Sequence, residues 1–273
     1  MTILDNLKRR ALELSRKYTN EYFFIRGLWR FDLLFQPSLH ERIFSYTVIL
    51  AQCVGQGCCY TYENPVLDRE LIGKDAREIV PKYKSLEIAI LDAMYSTFEK
   101  NPTTRFVLDG SSIQKSVKRT EIVVEQVLKA LKQKKCIEKR PRIVNVGAVG
   151  NFIRELRKSN TEVFATDCDP MMIGKEIHGV TVENSDKTMD FVEESDLALI
   201  TGMTLSTGTL DQILKVANKY GTTVVMFAET GANFAEEYCK YGIDVVISEP
   251  FPFYIFQGRS IIDIYARKNE KKS

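Results

Sequence analysis

A short glycine-containing segment is the feature of this sequence that best suits ligand binding. Residues 143–151 read IVNVGAVGN, an apolar run followed by two glycines and a helix-forming segment. The spacing is that of the dinucleotide fingerprint G-x-G-x-x-G with Asn145 in place of the first glycine, and asparagine also tolerates left-handed backbone. Gly147 would let the backbone approach a ligand, and Gly150 would let the next helix pack close to the strand. The segment predicts an adenosyl-binding turn, with a purely structural turn as the alternative.

An acidic residue follows at the distance that such a turn requires. Asp167 ends the next apolar run, VFATD, 20 residues after Gly147. A carboxylate at this place accepts hydrogen bonds from ribose hydroxyls, which nicotinamide cofactors, flavins and S-adenosylmethionine share. A pyrophosphate cofactor gains most from the complete glycine set, so the missing first glycine favours S-adenosyl-L-methionine over NAD(P).

Hydroxyl groups and a carboxylate follow the next two apolar runs. Residues 201–204 read TGMT after one run, and Glu229 comes after the other. Ligands of open α/β sheets bind at the carboxyl ends of the strands, so we expect these residues in one cleft. The expected cofactor contacts are Asn145, Gly147, Ala148, Val149, Gly150, Asp167, Thr201, Gly202 and Met203, and the expected catalytic residues are Thr204 and Glu229.

Two further loops are candidates for contacting a substrate. One reads DGSSI before a predicted helix, and it either caps that helix or forms a wall of the cleft. The other, 248–254, reads SEPFPFY; its prolines restrict the chain and its rings suit a planar ligand, while covering the core or forming a dimer interface is an equal alternative. The expected substrate contacts are Ser111, Ser112, Ile113, Thr230, Pro250 and Phe251.

The sequence offers few residues for a metal site. The two histidines, His40 and His178, are far apart, and Cys53, Cys58 and Cys59 have neither zinc-finger nor zinc-ribbon spacing. We therefore expect no resident metal and cysteines buried in strands. Thiolate ligation by the three cysteines is the alternative. The Walker A motif and the nucleophile elbow GxSxG are both missing from the sequence.

Helical and strand-like segments must position these residues. Residues 4–16 have the apolar spacing of a helix, residues 25–35 alternate with a period of two, and residues 43–60 suit β-strands. Residues 120–135 have the spacing of a further helix, and the charged run 132–142 is the linker candidate, with a solvated helix end as the alternative. Beyond it, the short apolar runs 143–146, 162–166, 197–200, 223–227, 244–247 and 261–265 alternate with helical segments, which is the pattern of βαβ units. We predict an α/β protein: a smaller N-terminal α+β domain over residues 1–140, and a Rossmann-like domain with a mostly parallel sheet over residues 141–273.

Length and composition agree with this fold class. The 273 residues suit two ordinary domains, and 44% hydrophobic with 27% charged residues argues against collagen-like, disordered and coiled-coil classes. Lys and Arg number 38 against 36 Asp and Glu, so no basic excess favours nucleic acid. The longest uncharged stretch contains polar residues and glycines, and the start lacks a signal-peptide pattern. We expect a cytoplasmic protein that binds neither membrane nor nucleic acid.

Several segments resemble a known family over most of the chain, among them VNVGAVGNFIRELR, VFATDCDP and ITGMTLSTGTLDQIL. They are similar to a two-domain family labelled heavy-metal chelation, which joins an enolase-N-terminal-like domain to a Rossmann-like domain. Within that architecture, TGMTLSTGTLD, AETGANF and SEPFPFY resemble the S-adenosylmethionine-dependent pyridinol methyltransferases of the HcgC type. This resemblance implies methyl transfer, by a homodimer, to a ring carbon of a hydroxypyridine precursor of the iron-guanylylpyridinol cofactor of [Fe]-hydrogenase.

Three hypotheses about function follow. The first is an S-adenosylmethionine-dependent C-methyltransferase acting on a small aromatic acceptor, since methyl transfer requires positioning more than acid/base groups. The second is an NAD(P)-dependent oxidoreductase that uses the same glycine turn and Asp167. The third is a metal- or chelate-binding protein that uses the cysteines.

Overall fold

The computed structural model describes residues 1–36, 43–133 and 140–267. It contains a three-stranded antiparallel sheet and a nine-stranded, mostly parallel sheet, so the predicted α/β fold class is confirmed. Within these residues, no helix is both long and apolar enough to cross a membrane.

The smaller sheet comes from the N-terminal part of the chain. Its strands, in spatial order, are β1 (Gly27–Phe35), β2 (Phe44–Gln52) and β3 (Gln56–Thr61), and the helices of this part are α1 (Ile3–Ser15) and α2 (Lys84–Tyr95). Strand β2 pairs antiparallel with both neighbours. Strand β3 packs closely on α2 because Gly57 has no side chain: a Cβ there would lie 2.0 Å from the backbone nitrogen of Ala93.

The larger sheet contains the Rossmann-like part. Its strands are β4 (Thr104–Leu108), β5 (Arg142–Val146), β6 (Glu162–Asp167), β7 (Glu176–Ile177), β8 (Val180–Asn184), β9 (Leu197–Thr201), β10 (Thr223–Ala228), β11 (Val245–Ser248) and β12 (Ser260–Ala266). The spatial order is β4-β12-β11-β10-β9-β5-β6-β8-β7, and the six strands from β11 to β8 are parallel. In chain order these six are arranged 3-2-1-4-5-6, as in dinucleotide-binding folds, with the switch point between β5 and β9.

Helices cover both faces of this sheet. They are α3 (Ser112–Gln133), α4 (Gly150–Lys158), α5 (Thr188–Glu194), α6 (Met203–Thr207), α7 (Leu210–Tyr220) and α8 (Ala235–Lys240). Successive strand residues point to opposite faces. Val144 and Val146 accordingly pack in the core that contains α5, α7 and α8, and Ile143 packs in the core that contains α3 and α4.

The N-terminal part shares a hydrophobic core with the larger sheet. Buried residues of α1 and α2, such as Leu7 and Ile88, belong to the same cluster as Ile200 and Ala228 of the sheet. The smaller sheet is thereby held against the large one, near the carboxyl ends of its parallel strands.

Strand β4 and helix α3 precede residue 141, yet both belong to the larger sheet and its covering layer. The predicted boundary between 1–140 and 141–273 therefore separates elements that pack together. Periodicity predicts a helix from Thr120, but α3 begins at Ser112. The first two turns show no apolar periodicity, because their buried positions carry Lys115, Ser116 and Arg119. Part of the predicted linker 132–142 lies outside the described residues.

Candidate functional site

A cleft opens between the smaller sheet and the carboxyl ends of the parallel strands. Its free space, including the open mouth, is about 1140 Å³, comparable with small-molecule sites. The smaller sheet contributes Phe35, Tyr46, Tyr60 and Tyr62, the larger sheet and its loops contribute Gly147, Asp167, Thr201 and Glu229, and Arg119 and Tyr254 complete the wall. The cleft thus lies at the switch point of the sheet, where the sequence predicts a ligand.

The glycine turn after β5 forms one side of the cleft. Gly147 has a φ of +81°, and its N–H donates to the Thr166 carbonyl at 2.9 Å. A Cβ at Gly147 would lie 2.8 Å from Oγ1 of Thr201, which faces it from the end of β9. Glycine is therefore required both by the backbone conformation and by the close approach of the two loops at the switch point.

Hydrogen bonds within the turn use several of the predicted cofactor residues. Asp167 Oδ2 accepts from the Ala148 N–H and Oδ1 accepts from the Asp169 N–H, both at 3.0 Å. Asn145 is fully buried, donates to the Leu199 carbonyl at 3.2 Å and accepts from the Val149 N–H at 3.0 Å. Asp167 and Val149 line the cleft, whereas Asn145 and Ala148 hold the turn and do not line it.

The two other predicted glycines differ in what they require. At Gly150 a Cβ would meet Ile177 at 3.5 Å and His178 at 3.9 Å, both ordinary contacts, so the neighbouring atoms do not require glycine, and Gly150 does not line the cleft. At Gly202 a Cβ would lie 2.4 Å from the Thr230 carbonyl oxygen. Gly202 therefore permits the loops after β9 and β10 to meet at the floor of the cleft.

Thr204, predicted to be catalytic, lines the cleft. It is buried, and its hydroxyl donates to the Thr201 carbonyl at 2.8 Å. Because a hydroxyl has one proton to donate, a bond from Thr204 to a reacting oxyanion would have to replace this one, and its catalytic role stays a prediction. Met203 and Thr201 remain half-buried in the cleft wall.

Glu229 lies against a buried arginine and a second glutamate. Arg119 Nη1 is 3.1 Å from Glu229 Oε1 and 3.6 Å from Glu249 Oε2. The guanidinium stacks on the Tyr254 ring, 3.7 Å from its centroid, and lies 5.0 Å from that of Phe227. The side chain of Glu229 is 19% exposed and that of Glu249 is fully buried, so Glu229 is the carboxylate that faces the cleft.

Burial dominates the electrostatics of this cluster. Burial raises the pKa of Glu229 to about 8; the Arg119 charge opposes the rise, the Glu249 charge adds to it, and a hydrogen bond from Tyr60 opposes it. Burial also raises the pKa of Glu249, with Arg119 opposing. The pKa values of both carboxyl groups shift upward because two like charges and one guanidinium share a largely buried site.

Aromatic rings line the opposite side of the cleft. Tyr46 and Tyr60 pack edge to face at 5.9 Å, Tyr46 and Tyr62 do so at 5.7 Å, and Phe35 packs on Tyr254 at 5.9 Å. Such a wall suits a planar, partly apolar ligand.

The predicted substrate residues divide into two groups. Thr230 lines the cleft, and its Oγ1 accepts from the Tyr60 N–H at 2.9 Å, which joins the two sheets. The others do not line the cleft: they are Ser111, Ser112, Ile113, Pro250 and Phe251. Ser111 instead caps α3, since its hydroxyl accepts from the Gln114 N–H and Gln114 Oε1 accepts from the Ser111 N–H. Phe251 packs against Phe256, with ring centroids 5.3 Å apart.

No metal site is grouped around the cysteines that the structure describes. In the described part of the chain, no three His, Cys, Asp or Glu residues are grouped so that they could hold a metal ion, and His40 and Cys136 lie outside it. Cys58 and Cys59 are adjacent in β3 and belong to different hydrophobic clusters. Burial raises the pKa of both thiols, and of Cys53 to about 12, which favours the protonated thiol over the thiolate.

The residues that sequence reasoning missed come from scattered segments. Arg119, Tyr60 and Glu249 lie in a helix, a strand and a proline-rich loop that no motif connects. Of the three, only Glu249 has a signal in the sequence: it follows a predicted strand directly, as Glu229 does.

The fold and the cleft define the class of this protein: an α/β protein with a Rossmann-type sheet and a ligand cleft covered by a smaller antiparallel sheet. Residues 129–248 match the profile of DUF364, described as "Putative heavy-metal chelation". The match covers less than half of the chain, and none of the curated proteins compared with the sequence matches it.

Two solved structures of DUF364 proteins have a similar fold. One, from Pyrococcus horikoshii, is 15% identical with a TM-score of 0.58 and covers 97% of this chain and 100% of its own. The other, from Desulfitobacterium hafniense, is 13% identical with a TM-score of 0.55 and covers 95% and 98%. Both are crystal structures of proteins with unknown function, and at these identities the likeness concerns the fold alone.

Proposed function

We propose that this protein is an S-adenosyl-L-methionine-dependent C-methyltransferase whose acceptor is a planar ring with an acidic hydroxyl group. The observation that carries the proposal is the composition of the cleft, where a glycine turn and a strand-end carboxylate lie across from aromatic rings and a buried Glu229. The resemblance to pyridinol methyltransferases adds the hydroxypyridine acceptor of iron-guanylylpyridinol biosynthesis as the particular substrate, and a homodimer as the working form.

The cofactor end of the cleft would use backbone and carboxylate groups. Gly147 and Asp167 both line the cleft, and a carboxylate at the end of this strand can accept hydrogen bonds from ribose hydroxyls. When bound, S-adenosylmethionine would supply the methyl group: the carbon–sulfur bond would break as the new C–C bond forms, sulfur would keep the electron pair, and the proton displaced from the ring carbon would pass to water in the cleft.

The chain's own part in catalysis would be positioning and proton handling. Tyr46, Tyr60 and Tyr254 form flat walls that can hold a ring near the donor, and such orientation supplies most of the acceleration of a displacement reaction. Glu229 faces the same space and can exchange a proton with the hydroxyl of the ring. No metal is required for this chemistry.

An NAD(P)-dependent oxidoreductase is the second candidate, and one observation favours it. The strand order 3-2-1-4-5-6 with a glycine turn at the switch point is that of dinucleotide-binding sheets. Both candidates place an adenosyl group against Gly147 and Asp167, so ligand binding separates them.

Calorimetric titration and thermal shift with S-adenosylhomocysteine, S-adenosylmethionine, NAD and NADP test the proposal. A ligand at 100 times its Kd stabilises the native state by about 2.7 kcal/mol. We expect stabilisation by the first two compounds only, weakened in Thr201→Val and unchanged in the matched control Thr181→Val, on an exposed strand position. Binding of NAD or NADP alone would replace the methyltransferase with the oxidoreductase, and no binding of any of the four would refute both.

A further inference from the structure

Two carboxylates converge on one guanidinium at the floor of the cleft. Arg119 Nη1 lies within 3.1 Å of Glu229 and 3.6 Å of Glu249, and the three side chains are 6%, 19% and 0% exposed. Glu249 is held in place because its Oε1 accepts from the Tyr254 N–H at 2.7 Å. With both carboxylates ionised this largely buried cluster would carry a net negative charge, which is costly in a protein interior.

The groups that face the pair come from three elements. Arg119 comes from α3, Tyr60 and Cys58 come from β3, and Tyr254 comes from the loop after β11. Of these four groups only Arg119 carries a positive charge. Burial raises the pKa of Tyr60 and Cys58 as it does that of the two glutamates, so these two groups stay neutral.

We propose that Arg119 and Glu249 are positioning residues that act through Glu229, and that the three form a proton-storing unit in which two carboxylates share one guanidinium and one proton. The unit is then neutral overall. Transfer of a proton from a ring hydroxyl in the cleft to the unit protonates the second carboxylate, so that the new oxyanion faces Arg119 and no excess charge is created. Return of that proton after the reaction restores the unit. The part that this unit plays in the reaction rests on the proposed function, whereas the presence of the stored proton in the ligand-free protein does not depend on it.

The stored proton can be detected in the ligand-free protein. Infrared spectra of protein grown with carboxyl-¹³C glutamate separate protonated glutamic acid from protonated aspartic acid, which matters because burial raises the pKa of Asp92 to about 7. We expect a protonated-glutamate band at neutral pH that disappears as the pH rises through about 8. Because the two carboxylates are coupled, that midpoint belongs to the pair.

The variant Glu249→Gln tests the positioning role. Glutamine keeps an acceptor for the Tyr254 N–H but removes the second charge, so Glu229 pairs with Arg119 alone and the band should be absent at neutral pH. Glu237→Gln is the matched control: this buried glutamate bonds Lys240 far from the cleft, and its replacement should leave the band unchanged. Loss of the stored proton above about pH 8 should change the rate of methyl transfer in the wild-type protein and in Glu237→Gln, and this alkaline change should be missing in Glu249→Gln.

The wild-type spectrum keeps the proposal falsifiable if a variant does not fold. Absence of a protonated-glutamate band at pH 7 in the wild-type protein overturns the stored proton, whatever ligand the cleft binds. Persistence of the band at its wild-type midpoint in folded Glu249→Gln overturns the positioning role. Failure of S-adenosylhomocysteine to bind, with the band present, overturns the methyltransferase and leaves the proton-storing unit in place.

Discussion

The contact between Gly147 and Thr201 across the switch point predicts an energetic coupling between the two positions. Alanine at Gly147 would meet Thr201 Oγ1 at 2.8 Å and Cγ2 at 3.0 Å, in a backbone conformation with φ of +81°. The left-handed conformation costs about 1–2 kcal/mol for an L-residue, and the overpacking adds about 1–3 kcal/mol. We therefore expect Gly147→Ala to lower the free energy of unfolding by about 2–5 kcal/mol.

The same substitution should cost less when Thr201 is shortened. In a Thr201→Ala background the nearest remaining atom of residue 201 is Cβ at 3.5 Å, an ordinary contact, so only the conformational cost of about 1–2 kcal/mol stays. Urea denaturation of the four proteins gives the coupling energy, provided that the m-value is constant. Gly174→Ala is a matched control, because Gly174 has a φ of +78° with no atom within 4 Å, and its cost should not depend on residue 201. Additivity of Gly147→Ala and Thr201→Ala within about 0.5 kcal/mol would refute this description of the turn.

Two further predictions concern the walls of the cleft. Lys115 is buried and its Nζ donates to the Phe256 and Gly258 carbonyls at 2.6 and 2.8 Å, so Lys115→Met should destabilise the fold by about 2–4 kcal/mol and loosen the loop that carries Tyr254. Denaturation and hydrogen exchange of that loop measure this, and unchanged exchange would contradict it. Cys168 lines the cleft and is the exposed one among the described cysteines, so S-adenosylhomocysteine should slow its alkylation in peptide mapping. Equal alkylation rates with and without saturating ligand would place that ligand elsewhere.

The parallel strands could be predicted from sequence because each is buried on both faces. The apolar runs 143–146, 197–200 and 223–227 differ from β5, β9 and β10 by one residue or none at either end. Strand β4 lacked such a signal, since most of its residues are exposed or half-buried at the edge of the sheet. The short strands β7 and β8 lie at the opposite edge and were missed for the same reason.

The cleft could be located from sequence, but the groups on its floor could not. The glycine turn and Glu229 follow predicted strands, so topology alone brings them to one edge of the sheet. Arg119 could not be recognised as a buried residue of α3, because arginine does not fit an apolar periodicity. For the same reason the predicted helix begins later than α3 does. Tyr60 reaches the cleft only because the smaller sheet packs across the larger one. This packing joins distant parts of the chain: the Tyr60 N–H donates to Thr230, 170 residues further along the sequence.

Different residues determine the fold and the chemistry of this protein. Gly57 and Gly202 are required where backbone segments meet, and Gly147 is required where the backbone meets the Thr201 side chain. The charges on the cleft floor are not required by the fold in the same way, because hydrophobic residues of similar volume commonly replace a buried ion pair without loss of stability. A cluster of one arginine and two glutamates is therefore better explained by a function than by folding. It follows that ligand binding and the protonation state of Glu229 and Glu249, and not a closer comparison of folds, will decide what this cleft does.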